Sequence, residues 1–404
     1  MSLLAGIRVV EVASMILVPS AAAVMADFGA DVVKVEPPEG DQNRYLNEAP
    51  ALPDSDIQYT YFMDNRGKKG IVLDLKQPDG LAILHRLVEG ADVFLTNYRP
   101  PALARLRLRY EDLTPINPRL VYAAATGFGE RGPEADKPGY DTVVYWSRSG
   151  IETNLMTPEG ALGQIPPGSG DHPSGMALFG AVMMALFARE RTGRGSKVGT
   201  SLLANGAWAN SAMLQAHLCG ATFHPKVPRA RALGFSGLYY RTRDGRALKF
   251  SFVNPAKLWP LFCRAVERPD LVTDGRFAEA GPRRTNAAAL IALLDEIIGE
   301  QDAAHWKARF EACDIPFAIV PTYAEIGSDA QMIANGMLPE IEHERHGRLR
   351  IVDSPITVAG VDKRPRHAAP DLGQDTEDVL ATLGYSKEEI ARFLERSVAV
   401  QARG

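Results

Sequence analysis

The sequence predicts an α/β protein built on a mostly parallel sheet with a smaller second domain. Three observations carry that expectation. The first forty residues read as strand, helix, strand, which is a βαβ unit, and the same alternation continues beyond them. The chain has 404 residues, longer than one ordinary domain. Its 46% hydrophobic and 8% aromatic content is enough to bury a sizeable core.

Residues 7–13 are apolar and β-branched, residues 19–28 are alanine-rich with Gly29 placed as a helix C-cap, and residues 31–36 are again β-like. The alternation then predicts a strand over 70–75, a helix over 80–89, and strands over 92–97 and 120–126. Parallel α/β architecture is the economical reading. Residues 174–191 are helical in pattern, with Pro173 tolerated in the first turn and Gly193 and Gly195 ending the run. Asp171 falls at or just before that start. From about 225 to 320 the character changes to a short strand (247–253) and helices near Trp259, over 286–299 and around Trp306. Residues 348–352 and 355–358 read as strands, and Ser386-Lys-Glu-Glu389 is a capping box before a last amphipathic helix.

The net charge of −4 comes from 45 basic and 49 acidic residues without long blocks of either sign. No nucleic-acid footprint or membrane-surface patch is expected, and an anionic ligand must be held by a local site. The three cysteines, Cys219, Cys263 and Cys313, are far apart. They argue against a disulfide framework, an iron–sulfur cluster or a zinc ribbon, and fit a reducing cytoplasm. The opening residues lack a basic-then-apolar signal pattern, and the apolar stretch 176–188 is too short to span a bilayer. It reads as a buried helix.

Gly168-Ser-Gly-Asp-His-Pro-Ser-Gly175 places one carboxylate between glycines at a helix start. Asp is a preferred N-cap, so capping is one reading. The other is a covalent nucleophile, with small neighbours leaving room for a thioester carbonyl and backbone N–H groups near a developing oxyanion. The basic turn Asn65-Arg-Gly-Lys-Lys69, together with Asn97-Tyr-Arg99 and Arg105, lies at expected strand ends or loops. Each alone reads as solvated charge; together they can clamp phosphates. There is no G-x-G-x-x-G after the first strand, no P-loop and no G-x-S-x-G elbow, which weakens dinucleotide, P-loop and hydrolase readings. His343 and His346 lack metal-ligand spacing and read as an exposed turn; no metal site is expected.

The chain resembles class III (CaiB/BaiF, formyl-CoA transferase-like) coenzyme A transferases over nearly its whole length. The resemblance is carried by Asp27-Phe-Gly-Ala-Asp-Val-Val-Lys-Val-Glu36 with Gly40-Asp41, by Asn65 through Leu73-Asp-Leu-Lys76, by Asn117-Pro-Arg-Leu-Val-Tyr122 with Thr126-Gly-Phe-Gly129, by the glycine-flanked Asp171, and by Leu372 through Leu380 with Leu383-Gly-Tyr-Ser386. It implies a Rossmann-like large domain from both chain ends (residues 1–224 and 331–404), a smaller α/β domain (225–330), and an interlocked homodimer. It implies Asp171 as nucleophile. For CoA it points to Leu73, Asp74, Leu75, Lys76, Asn97, Tyr98, Arg99 and Arg105, with Tyr140 near the thioester. Lys137 stands one position out of step with a CoA-contacting lysine, and Pro37 replaces an arginine that some members place beside the adenine.

The activity implied is transfer of CoA from an acyl-CoA to a free carboxylic acid through an aspartyl covalent intermediate. Coenzyme A serves as substrate and carrier, with no tightly bound cofactor. Racemases of α-methylacyl-CoA share the fold and are the alternative, but they pair the aspartate with a histidine where this chain has Tyr140, whose pKa near ~10 is poorly suited to proton exchange at neutral pH. His172 is the remaining candidate for that second base. A non-catalytic acyl-CoA-binding protein would need Asp171 only as a cap. No tetraglycine loop follows the helix, which disfavours oxalate, and residues 139–150 resemble members acting on 2-hydroxy or aryl acids.

Overall fold

The main sheet is assembled from β1 (Arg8–Val12), β2 (Asp31–Glu36), β3 (Lys69–Leu73), β4 (Val93–Thr96), β5 (Val121–Thr126) and β6 (Ser196–Ser201). Its order is Ala399–Val400, β3, β2, β1, β4, β5, β6, with every pairing parallel except the antiparallel one of Ala399–Val400 on β3. The first helices of this part are α1 (Leu17–Asp27), α2 (Tyr59–Asn65), α3 (Pro78–Glu89), α4 (Pro100–Leu106), the short α5 (Tyr110–Leu113) and α6 (Ile151–Leu155), and α7 (Asp171–Thr192). This arrangement is a computed structural model that describes residues 2–50, 52–361, 363 and 367–402.

The strands are apolar along their length because both faces of the sheet are covered. Val10, Val12, Val33, Val35, Ile71 and Phe94 pack into one core with Ile83 and Leu84 of α3 and with Val379 and Leu380 of the helix Thr376–Thr382. Their neighbours Val9, Val32, Val93, Leu95 and Val121 face the other way, against Val18, Ala22 and Met25 of α1 and Leu178 and Val182 of α7. The alternation is the two-residue period of a strand, used on both sides.

The chain divides into two units. The first comprises Met1–Leu155, Gly163–Ala221 and Ile333–Gly404, and it holds the main sheet. The second comprises Met156–Leu162 and Thr222–Met332. It has an antiparallel sheet ordered Tyr239–Arg241, Ala247–Phe250, Phe317–Ile319, and a core crowded with Phe235, Phe250, Trp259, Phe262, Trp306 and Phe310.

Three local expectations are corrected. The helix expected from 174 begins at Asp171. The strand expected over 348–352 is shorter, Gly347–Arg350, and pairs only with Glu340–His343 in a hairpin. Residues 355–358 are not a strand. Pro355 has no N–H to give a ladder, and the backbone leading to it is already engaged, Ile351 N donating to the Pro339 carbonyl and Asp353 N to that of Met337.

Candidate active site

A cavity of about 380 Å³ opens at the carboxyl ends of β1, β4 and β5, lined by Ser14 and Met15 after β1, Asn97, Tyr98 and Arg99 after β4, and Thr126 and Gly127 at the end of β5. β1 and β4 are neighbours although two strands intervene in sequence. The chain therefore leaves them in opposite directions, and the crevice that this reversal creates is where open α/β sheets receive ligands.

The wall is pinned by side chains rather than by regular structure. Ser14 N donates to Asn97 Oδ1 at 3.0 Å, and Asn97 Nδ2 donates to the Ser14 carbonyl at 2.7 Å, so one amide locks the two loops together. Met15 is left-handed, with φ +67. A non-glycine residue holds that conformation only when its surroundings impose it. Here Met15 N donates to Asp41 Oδ1 at 2.9 Å and its carbonyl accepts from Asn43 Nδ2 at 3.0 Å.

Asp171 lines the same cavity and is the first residue of α7. Gly170 occupies the N-cap position and no side chain caps the helix, so Asp171 is not the cap. Among the described residues nothing donates a hydrogen bond to its carboxyl group. Burial first, then the negative charge of Asp141, pushes that carboxyl up to about 7; His172 opposes the rise and Asp64 adds to it. Asp141 is buried and fixed in place, accepting from Thr142 N at 2.7 Å and Gly170 N at 3.1 Å. The glycines beside Asp171 serve packing rather than substrate access. A Cβ on Gly170 would lie 2.6 Å from the Tyr145 ring, and one on Gly175 would lie 2.3 Å from Ser20 Oγ and 2.7 Å from the Leu17 carbonyl of α1.

Of the residues named from sequence, Asn97, Tyr98, Arg99, Lys137, Tyr140 and Asp171 share this cavity. Tyr140 is 57% exposed on its rim. Lys137 Nζ lies 3.0 Å from Glu134 and the Arg99 guanidinium 3.4 Å from the Asp136 carbonyl. Leu73, Asp74, Leu75, Lys76 and Arg105 do not line it. Leu73 is fully buried in the core and Leu75 packs against it. Asp74 accepts from Lys76 N at 3.0 Å and from Gln77 Nε2 at 3.1 Å, closing its own turn. Lys76 and Arg105 are exposed.

The basic turn is corrected more sharply. Arg66 and Lys68 are buried and committed, Arg66 to Asp27 and Lys68 to Glu11 at 2.6 Å, the Pro19 carbonyl at 2.9 Å and Asn65 Oδ1 at 2.9 Å. They cannot clamp a phosphate. Sequence reading missed Ser14, Met15, Asp64 and Asp141. It also passed over one available signal, that Glu11 and Lys34 are charged residues inside apolar strands, which only partners across the sheet can explain.

Among the described residues no group of His, Cys, Asp or Glu is disposed to hold a metal, and no helix is long and apolar enough to cross a membrane. His346 lies in the exposed turn of the hairpin, as expected, and His343 ends its first strand half-buried, its ring tilted against Phe62 and edge-on to His346.

Comparison with known proteins gives the class of this mixed α/β protein. The profile of CoA-transferase family III matches residues 4–376, and the chain belongs to that family. It is similar to (R)-2-hydroxy-4-methylpentanoate CoA-transferase of Clostridioides difficile, 30% identical over 98% of this chain and 99% of that one. It is equally similar to cinnamoyl-CoA:phenyllactate CoA-transferase of Clostridium sporogenes, 30% identical over 100% and 98%. A CaiB/BaiF family protein from Brucella suis has the same fold, with a TM-score of 0.82 at 28% identity over 95% of this chain and 99% of that one.

Proposed function

We propose that this CoA-transferase works through Asp171 as a covalent nucleophile. The observation that carries the reading is the state of that carboxyl. It heads α7 without capping it, faces the crevice, and has its pKa pushed up to about 7 by burial and Asp141. A carboxylate that is partly desolvated and lacks hydrogen-bond donors is, when ionised, a stronger nucleophile than one in solution.

In the first step an Asp171 oxygen bonds to the thioester carbonyl carbon and the carbon–sulfur bond breaks, giving a mixed anhydride and CoA thiolate. The thiolate attacks the aspartyl carbonyl, forming an aspartyl thioester and releasing the donor acid as its carboxylate. The acceptor carboxylate then attacks that thioester, restoring an anhydride and the thiolate. Attack of the thiolate on the acceptor carbonyl forms the new acyl-CoA and frees Asp171. Charge is conserved at each step. Remote contacts of CoA keep the thiolate in place between steps.

Arg99 and Lys137 are suited to phosphate oxygens, Tyr140 to the thioester, and Asn97 and Tyr98 to the pantetheine arm. A ligand as long as CoA extends beyond a cavity of about 380 Å³, and Asp74, Lys76 and Arg105, with the backbone at Leu73 and Leu75, are assigned to that outer path by the family resemblance. The named acids of the two relatives are 2-hydroxy acids with apolar side chains, and we assign the acceptor to that class. The large unit is assigned as the CoA-binding, Rossmann-like domain on its strand order. Its exposed large apolar side chains on successive helices, among them Met184, Phe187, Leu214, Leu218 and Trp208, the last 80% exposed, support a homodimer. The free thiols Cys219, Cys263 and Cys313 suit a reducing compartment.

The test is to incubate the enzyme with acyl-CoA alone, quench with hydroxylamine and map the modified peptide by mass spectrometry. Modification at Asp171, absent in Asp171→Ala together with all transfer, is expected. Modification elsewhere, or turnover by folded Asp171→Ala, overturns the reading.

A further inference from the structure

The ring of His172 is engaged at both nitrogens by oxygens. Nδ1 lies 2.9 Å from the Gly168 carbonyl and Nε2 lies 3.0 Å from Asp64 Oδ1. A carbonyl only accepts, so Nδ1 carries a hydrogen. A neutral ring would then turn the bare lone pair of Nε2 toward a carboxylate oxygen, acceptor against acceptor. A proton in that gap converts the repulsion into a charge-assisted hydrogen bond. Asp64 has its own need for the proton. It is 1% exposed, and among the described residues its Oδ2 has no hydrogen-bond partner. His172 is therefore what satisfies this buried carboxylate.

The other charged groups near this pair are already spoken for. Arg66 and Asp353 face the same apolar cavity of about 460 Å³ beside His172, but Arg66 is paired with Asp27, and Asp353 with Lys363 at 2.9 Å. On the other side stands Asp171 with Asp141 behind it. Lys68 also acts on Asp64 electrostatically but is paired with Glu11 at 2.6 Å, so among the described residues His172 is the cation hydrogen-bonded to Asp64.

Building on the reading of Asp171 as nucleophile, we propose that Asp64 and His172 form a positioning pair. Asp64 keeps the His172 ring doubly protonated, and that fixed cation both ties down the Gly168 carbonyl before α7 and holds the neighbouring Asp171 carboxyl in its ionised form. Gly168 is left-handed at φ +79, and a Cβ there would meet His172 Cε1 at 3.1 Å, so the loop is shaped around the ring. Burial lowers the pKa of His172, but the bond to Asp64 and its charge outweigh burial and leave it raised. With both N–H groups engaged, the ring has no lone pair to take a proton from substrate. It is a positioning residue, not the second base of a racemase.

Two measurements test this. The first reads the ring itself, with no turnover involved. In uniformly histidine-labelled enzyme, the Cε1–H signal of His172, assigned by its loss in His172→Gln, is expected to titrate above the ordinary histidine range and to move to lower pH in Asp64→Asn. A wild-type signal that titrates at the ordinary midpoint overturns the proposal, even if Asp64→Asn fails to fold. The second is the pH profile of kcat/KM. His172→Gln is expected to move its acid limb upward, costing about tenfold at pH 6 and little at pH 8.5, and Asp64→Asn to move it upward by less, because that change also removes the Asp64 charge that raises Asp171, with the double variant matching Asp64→Asn. A loss equal at every pH marks a merely structural role and overturns the proposal. The two readings fail separately. A pinned His172 with no adduct at Asp171 removes the nucleophile alone, whereas an adduct at Asp171 with an ordinarily titrating His172 removes the pair alone.

Discussion

Two charge clusters support the cavity, and they are balanced in opposite ways. Beneath the β1 turn, Glu11 pairs with Lys34 at 2.9 Å and Lys68 at 2.6 Å, Lys34 also with Asp41 at 2.8 Å, and Glu36 with Arg44 at 2.7 Å. Each carboxylate there has its own cation. Burial alone would raise Glu11, but Lys34 and Lys68 more than reverse it and hold the carboxyl below its ordinary range. At the head of α7, Asp64, Asp141 and Asp171 crowd around His172, the cation that contacts Asp64, while Lys68, which also acts on Asp64, is spent on Glu11; Asp171 rises to about 7. The residue types are the same. The supply of counter-charge decides whether a buried carboxylate becomes inert scaffold or a reactive group.

Breaking the closed cluster has the largest expected effect. Glu11→Ala leaves Lys34 and Lys68 buried without their shared partner and destabilises the fold by about 3–5 kcal/mol, read from urea denaturation. A loss below ~1 kcal/mol would erase the contrast drawn above.

Asp171→Asn is expected to do the reverse. The folded-state pKa of Asp171 is about 7 against an ordinary 3.8. Between those values the folded protein binds the extra proton, so wild-type stability falls as pH rises through the window. The neutral amide escapes that fall. The variant should be the more stable form at pH 8, by at most ~4 kcal/mol and less after solvent screening, and should converge with wild type near pH 3. Denaturation curves at the two pH values check this; a variant no more stable at pH 8 refutes it.

The smallest effect belongs to an exposed pair. Lys76 and Glu39 are 3.8 Å apart and 77% and 68% exposed. Lys76→Ala should leave the denaturation midpoint unchanged, since solvent already screens both charges. Any rise in the KM for acyl-CoA then reports a ligand contact rather than a folding defect.

What sequence made legible was periodic or local. The apolar strands from Arg8 to Thr126, the long helix α7 and the capping box at Ser386, which forms as expected with Glu389, all declare themselves within a few residues. β6 does not. Its run Ser-Lys-Val-Gly-Thr-Ser has little apolar pattern and becomes a strand because β5 supplies an edge to pair with. The site divides the same way. Asp171 stands out by its glycines, although the N-cap place falls one residue earlier, at Gly170. Lys68 looked like free surface charge because its counter-ion Glu11 is 57 residues away, and Asp64 was invisible because His172 is 108 residues away. Burial and pairing across such separations are properties of the folded chain.

The antiparallel strand Ala399–Val400 closes the outer edge of β3, and earlier in the same C-terminal segment Asp375 accepts from Gly70 N at 2.7 Å and Thr376 Oγ1 from Val72 N at 3.2 Å. During synthesis β3 therefore waits, unpaired on that side, while more than three hundred further residues emerge. The intervening Thr222–Met332 segment, by contrast, holds all the strands of its own sheet. An unpaired strand edge is a template for association with another chain. A nascent or truncated chain lacking its last residues would carry that edge exposed, making the large unit the slower to finish and the more prone to aggregate.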